Sequence, residues 1–362
     1  MKRTKICDLF GIKYPIISAS MAWITNAEFI AAVSNAGGMG TLGPNGGQTT
    51  LTRDPVETAE RMRGQMRKIK SLTDKPFAVN FAIGMGKDRV YSDNCVQVGI
   101  EETIPVAVVS EGSASVYTDM LHEAGIKVIH VIHTVKHAKS AAARGVDALI
   151  TSGTEGGGHS GFEQLATFTI TPQVADAVDI PVIAGGGITD GRGIVAALAL
   201  GAEGVYMGTR FIATKECPVH EKYKQAILQA EDTATVSIAH GPGRSATSGD
   251  KTAVDGVRTE TESPFPEERR GSVRMIYNRF TQEIYEMESR GASVNDVQSF
   301  LNSPYQERGD CNRYMAAALY GDMNNSLVAA GQGVGLIQFV PACDELIRQL
   351  AEEADKCIQR LK

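Results

Sequence analysis

Two stretches decide the fold: Pro181-Val182-Ile183-Ala184-Gly185-Gly186-Gly187-Ile188-Thr189-Asp190 and, a short helix later, Gly204-Val205-Tyr206-Met207-Gly208-Thr209-Arg210. Each is a β-rich run that ends in glycine. Three consecutive glycines expose backbone N–H groups and let a phosphate approach closely, next to the positive end of the helix expected to begin near Asp190. In (β/α)8 barrels a phosphate is frequently held by the loops after strands seven and eight. The alternative is that these glycines only make tight turns, although turn chemistry alone seldom needs three in a row.

Working outward, candidate strands fall at 15–20, 39–42, 76–80, 105–110, 127–131, 147–151, 181–184 and 204–207, with helix-like segments between them. That alternation predicts parallel α/β architecture. Asn35-Ala36-Gly37, Glu123-Ala124-Gly125, Ala143-Arg144-Gly145 and Ala199-Leu200-Gly201 each end a helix in glycine just before a strand. Glycine there accepts the left-handed conformation that turns the chain back into a sheet. Thr25 and Glu28 read as a capping box at the start of the first such helix. The expectation is an α/β chain forming a (β/α)8 TIM barrel, with an open doubly wound sheet as the alternative. After Lys215 the rhythm changes. Residues 1–239 and 326–362 are expected to form the barrel, and 240–325 an inserted, mainly helical lid subdomain over its mouth, with a final amphipathic helix over 342–360.

Composition narrows the function. A net charge of −6 with no basic run argues against nucleic acid, and no apolar stretch is long enough for a signal peptide or membrane span. Cysteines 7, 95, 217, 311, 343 and 357 show no CxxC and no metal-ligand spacing, so reduced intracellular thiols and no metal site are expected. A cytoplasmic enzyme follows, with a small-molecule substrate and at most a second copy of itself, as a homodimer, for a partner. Gly38-Met39-Gly40-Thr41-Leu42-Gly43 satisfies G-x-G-x-x-G, but it follows a helix and runs through a strand, the reverse of the dinucleotide fingerprint.

After the sixth strand comes Ser152-Gly153-Thr154-Glu155-Gly156-Gly157-Gly158-His159-Ser160-Gly161, a flexible glycine loop presenting one imidazole at the rim where barrel enzymes do chemistry. His159 there either moves protons or is bonded to backbone. His130 and His133 flank the end of strand five, and one of them would face the mouth. Trp23, just past strand one, either packs over a planar substrate or caps the first helix. Tyr206 reads as barrel packing.

These residues resemble the nitronate monooxygenase (2-nitropropane dioxygenase) family of flavin mononucleotide (FMN) barrels, which includes flavin-type enoyl-acyl-carrier-protein reductases and related ene-reductases, some acting on flavones. The resemblance runs through 15–21, 33–40, 155–159, 184–188, Met207-Gly208-Thr209-Arg210-Phe211, Gly243-Arg244 and Ala330-Gly331-Gln332-Gly333. It implies Ala19, Ser20 and Met21 at the isoalloxazine ring, Asn80 on the flavin's polar edge, and Ser152 beside the cofactor. It further implies Gly185, Gly186, Gly187, Gly208 and Thr209 around the phosphate, Gln332 nearby, and His159 as the catalytic group. Trp23 and His133 are substrate-side candidates. Two departures stand out. Members often read Ala-Pro-Met where this chain has Ala19-Ser20-Met21, and many nitronate oxidisers carry a polar Gln or Glu at Ser152 and an Arg at Ser160. The expected function is NAD(P)H-driven reduction of an activated C=C, in an enoyl thioester or planar enone, with NADH or NADPH as donor. Nitronate oxidation with O2 is the alternative, and a flavin-binding partner protein without turnover a third reading.

Overall fold

The computed structural model describes residues 1, 3–84, 86–242, 270–301, 303, 305 and 310–362. Gly243-Arg244 and the turn-rich remainder up to 269 lie outside the described residues. Eight parallel strands form the central sheet: β1 (Ile16–Ser18), β2 (Thr41–Leu42), β3 (Ala78–Ala82), β4 (Val106–Ser110), β5 (Lys127–Ile132), β6 (Ala148–Ser152), β8 (Val182–Gly185) and β9 (Gly204–Met207). Their order is β1-β9-β8-β6-β5-β4-β3-β2. The ring closes through an Ile17–Met39 bridge, with Ser18 N–H donating to Met39 O at 2.9 Å and Met39 N–H to Ile16 O at 3.0 Å. The chain is a (β/α)8 barrel, as the glycine-punctuated alternation predicts.

Period-2 alternation sorts each strand into two faces. Ile17, Ala78, Val106, Val108, Ile129, Ala148, Ile150 and Ile183 fill the barrel interior, and the helix Lys5–Phe10 closes its lower end with Ile6, Cys7 and Phe10. Val79, Phe81, Ala107, Val109, Val128, Leu149, Val182 and Val205 face outward into the layer beneath the helices. Glycines 37, 125, 145 and 201 all have φ between 75° and 96°, so the helix–glycine–strand echo is a repeated left-handed stop. The final helix, Cys343–Leu361, lays Leu346, Ile347, Leu350 and Ala354 against the barrel wall. A Cβ at Gly191 would come within 2.4 Å of Ala354 N, so the packing of this helix on Gly191–Ala199 depends on that glycine.

Two local expectations differ. The helix Ala27–Asn35 is capped by Asn26, whose side chain accepts from Phe29 N–H at 2.9 Å. Thr25 instead accepts from Gly43 N–H at 2.8 Å, which fastens the loop after β1 to the loop after β2. The second concerns the glycine–histidine loop. It is stiffened by β7 (Gly158–Ser160), which pairs antiparallel with β11 (Arg270–Ile276), itself paired with β10 (Thr235–Pro242). Besides this three-stranded sheet, the region between barrel and final helix contributes helices Arg279–Ser289, Val294–Leu301 and Arg313–Tyr320. Ile238, Val273, Met275, Phe280, Ile284, Val297 and Leu301 form its own apolar core, closed by Phe280 stacked on Phe300 at 5.0 Å. A hairpin between polar, turn-rich ends carries little periodicity, and for that reason sequence patterning favours the helices. Among the described residues no helix is long and apolar enough to cross a membrane.

Candidate active site

The strand register itself builds the mouth. Continuing each interior face by two residues brings Ala19, Asn80, Ser110, His133, Ser152, Gly185 and Tyr206 to the C-terminal end of the barrel, a polar ring above an aliphatic core. Asn80 is buried and its Nδ2 donates to Val108 O at 2.9 Å and to Ser110 Oγ at 3.1 Å. The amide is thereby held in one orientation. Tyr206, read from sequence as packing, faces this ring as well. Its hydroxyl accepts from Ser20 N–H at 2.6 Å, and burial pushes its pKa up, so the phenol keeps its proton. It pins the Ala19-Ser20-Met21 segment, which Ala19 N–H also ties to Met207 O at 2.9 Å. The alternation along β9 carried the signal for Tyr206.

The glycine loops of β8 and β9 are neighbours, because Gly185 pairs with Tyr206. Gly186 and Gly187 adopt φ of 110° and 70°, conformations that only glycine holds without strain. No protein acceptor among the described residues takes the N–H groups of Gly187, Gly208 or Thr209. The helix expected to supply its positive end is different. The N–H groups of Arg192 and Gly193 are taken by Asp190, and that of Gly191 by Glu353 at 3.0 Å. Two carboxylates already cap Gly191–Ala199, and an anion there would be repelled. A phosphate is therefore left to the glycine N–H groups themselves.

Two further segments fold over these loops. Glu155 accepts from Thr167 N–H at 2.8 Å and from its hydroxyl at 3.0 Å, while Glu155 O receives Gln332 N–H at 2.8 Å. Gly331 N–H donates to Thr209 Oγ1 at 2.9 Å, leaving the Thr209 hydroxyl proton for a second acceptor. Gln332 thus sits beside the glycine loops, its side chain exposed. Glu155, Thr167 and Ser110 were not distinguishable in sequence from ordinary loop and strand polar residues.

His159 lies on β7 opposite Val273, with its side chain exposed. Ser160 next to it is buried and bonded to Ser272 Oγ at 2.7 Å. Arg274, one residue pair further along β11, donates from Nε to Thr154 O at 2.9 Å, and burial lowers its pKa although Glu155 opposes the shift. It clasps the glycine loop to the small sheet. Arg274→Met is expected to cost about 1–3 kcal/mol, the penalty of leaving the partly buried Thr154 carbonyl unpaired. A thermal melt unchanged from wild type would contradict this.

His133 shares the inward face of β5 and its extension with Ile129 and Val131, whereas His130 shares the outward face with Val128 and Ile132, where burial pushes its pKa down to about 4. Trp23 is buried at 8% exposure in a cluster with Tyr305, Cys311 and Met315, at a backbone φ of 66°. Its indole packs at the junction with the helix Arg313–Tyr320. Gly40 and Gly43 of the G-x-G-x-x-G run are packing glycines: a Cβ would come within 2.5 Å of Ile30 O and 2.6 Å of the Met21 carbonyl. Among the described residues no group of three or more His, Cys, Asp or Glu side chains is arranged for a metal ion.

The nitronate monooxygenase family model matches residues 3–353. The chain belongs to the nitronate monooxygenase family. It is 34% identical, over 97% of its length and 96% of the relative's, to the (3aS,4S,5R,7aS)-5-hydroxy-7a-methyl-1-oxo-octahydro-1H-indene-4-carboxyl-CoA dehydrogenase of Mycobacterium tuberculosis. Among solved structures it resembles FabK from Thermotoga maritima, with a TM-score of 0.81 and 32% identity over 100% of this chain and 99% of that one. It also resembles the nitroalkane oxidase of Streptomyces ansochromogenes, with a TM-score of 0.76 and 26% identity over 99% of both chains. The family is one of FMN-dependent enzymes, and the site fits such a group. A Cβ on Gly208 would touch only Ala19 Cβ at 3.6 Å and Met21 Sδ at 3.8 Å, so open space lies between the loop after β1 and the unpaired glycine N–H groups.

Proposed function

We propose that this flavin-dependent oxidoreductase binds FMN with its phosphate on Gly185–Gly187, Gly208 and Thr209, and that it drives NADH- or NADPH-dependent reduction of a C=C conjugated to a carbonyl. The substrate class is an acyl thioester or a planar enone. When bound, the flavin supplies hydride transfer. The chain's own residues do the rest. Ala19–Met21, pinned by Tyr206, would support the ring, Asn80 would meet its polar edge, and Ser152 and Gln332 would flank it. His159 would exchange a proton with the substrate at the rim. The helices Arg279–Ser289, Val294–Leu301 and Arg313–Tyr320, with the small sheet, would cover the mouth and shape the substrate.

The observation that carries the choice of reaction is Ser160. Many nitronate oxidisers place a cationic Arg after the histidine. Here that position is a buried serine, uncharged and hydrogen-bonded to Ser272 Oγ. The full-length likeness to a CoA-thioester dehydrogenase and to FabK supports a thioester substrate. Nitronate oxidation is the second reading, favoured by the family model and by the likeness to nitroalkane oxidase.

Oxygen consumption separates the two. With NADH or NADPH and an enoyl thioester, turnover is expected to proceed without O2 uptake stoichiometric with substrate. With an alkyl nitronate, uptake is expected to stay at background. Stoichiometric O2 uptake on nitronate, with no thioester reduced, would reverse the assignment.

A further inference from the structure

His133 is half-buried at the mouth, and its Nδ1 lies 3.4 Å from the Ser152 carbonyl oxygen. A carbonyl can only accept, so Nδ1 carries the proton and, in the neutral ring, Nε2 carries the lone pair. Gly161 packs against the same side chain: a Cβ at 161 would come within 2.6 Å of His133 Cβ and 2.8 Å of Cγ. The same glycine loop carries His159, so the two imidazoles belong to one corner of the mouth.

We infer that His133 is a second substrate-binding group of this site, offering Nε2 as a hydrogen-bond acceptor to a hydroxyl group of the substrate. The inference deepens the oxidoreductase reading and rests on it: the thioester or enone this site prefers is a hydroxylated one. The electrostatic surroundings keep the ring in the accepting state. Burial disfavours the imidazolium, and His137 and His159 disfavour it further, while the Ser152 carbonyl and Glu163 act in the opposite sense; the balance lowers the His133 pKa. His130, on the outward face of the same strand, is buried and neutral, so it adds no charge. A neutral acceptor held by its far nitrogen discriminates sharply, because a ligand without the hydroxyl leaves Nε2 desolvated and unpaired.

Two measurements on the flavin-loaded protein test this. Imidazole nitrogen spectra of 15N-histidine-labelled protein, with the signal assigned from its absence in His133→Asn, should show the Nδ1–H tautomer from about pH 6 to 8. An Nε2–H tautomer or an imidazolium in that range overturns the inference. Binding of a β-hydroxyacyl thioester and its unsubstituted counterpart, read from the flavin absorbance, should favour the hydroxylated ligand on the order of tenfold in wild type. His133→Asn keeps a donor toward Ser152 and removes Nε2, so the preference should vanish; His133→Gln, which returns an acceptor near Nε2, should restore part of it. Binding of both thioesters without preference strikes the inference alone. Binding of neither strikes the thioester reading of the function and the inference with it. If His133→Asn cannot hold flavin, the wild-type tautomer and wild-type preference decide.

Discussion

His159→Ala is expected to keep its flavin and lose turnover by about 10²–10⁴-fold, the range for a side chain that moves a proton in the rate-limiting step. The variant should fold, because His159 contributes backbone pairing to Val273 and its side chain is exposed at the rim, outside the buried core. A purely structural histidine in that strand would show the opposite pattern, a lower melting temperature with turnover little changed. The pH profile makes the distinction sharper. If His159 gives or takes the proton, the limb of the profile that reports it should disappear in the variant, and flavin content should match wild type. Turnover undiminished over the full pH range would move the acid–base role to His133 or to water.

Gly208→Val is expected to fold and to lose its yellow colour. The backbone at Gly208 has φ −97°, which any residue adopts, and a Cβ there makes only ordinary contacts with Ala19 and Met21. A branched side chain should therefore be tolerated by the protein while filling the space in front of the Gly208 and Thr209 N–H groups. Hydrogen bonds to a charged group contribute about 1.5–3 kcal/mol each, so losing two weakens flavin binding on the order of 100-fold or more. The same change at Gly187 would be a poorer test, since φ of 70° strains any L side chain and mixes folding with binding. A stoichiometrically yellow Gly208→Val protein would place the phosphate elsewhere.

Much of the fold is legible in the sequence because the barrel repeats one unit. Each helix-ending glycine and each short apolar strand obeys a local rule, so eight weak signals reinforce one another, and the glycines after β8 and β9 fall where the fold places phosphate. What escaped the sequence depended on contacts between distant segments. The pairing of β7 with β11 joins residues more than a hundred positions apart, and nothing in Gly158-His159-Ser160 announces a strand. The carboxylates that cap Gly191–Ala199 include Glu353 from the final helix, so the helix could not be excluded as an anion site from its own sequence. Thr25 and Asn26 are both good caps, and the choice between them fell to a bond from Thr25 to Gly43 across the β1–β2 loops. The orientation of Tyr206 and of His133 against His130 was available from alternation alone, once each strand's inward face was known.

The most direct test of the central claim is an anaerobic flavin titration. NADH or NADPH should bleach the flavin, and an enoyl thioester or planar enone should restore the oxidised spectrum with one equivalent of substrate reduced. Hydride transfer requires a β-carbon presented about 3–3.5 Å from the reacting flavin atom and an acid at the neighbouring carbon. If an alkyl nitronate bleaches the flavin, nicotinamide does so poorly, and no thioester, quinone-like compound or flavonoid restores the colour, the chain is a nitronate oxidiser and the reductase account is wrong.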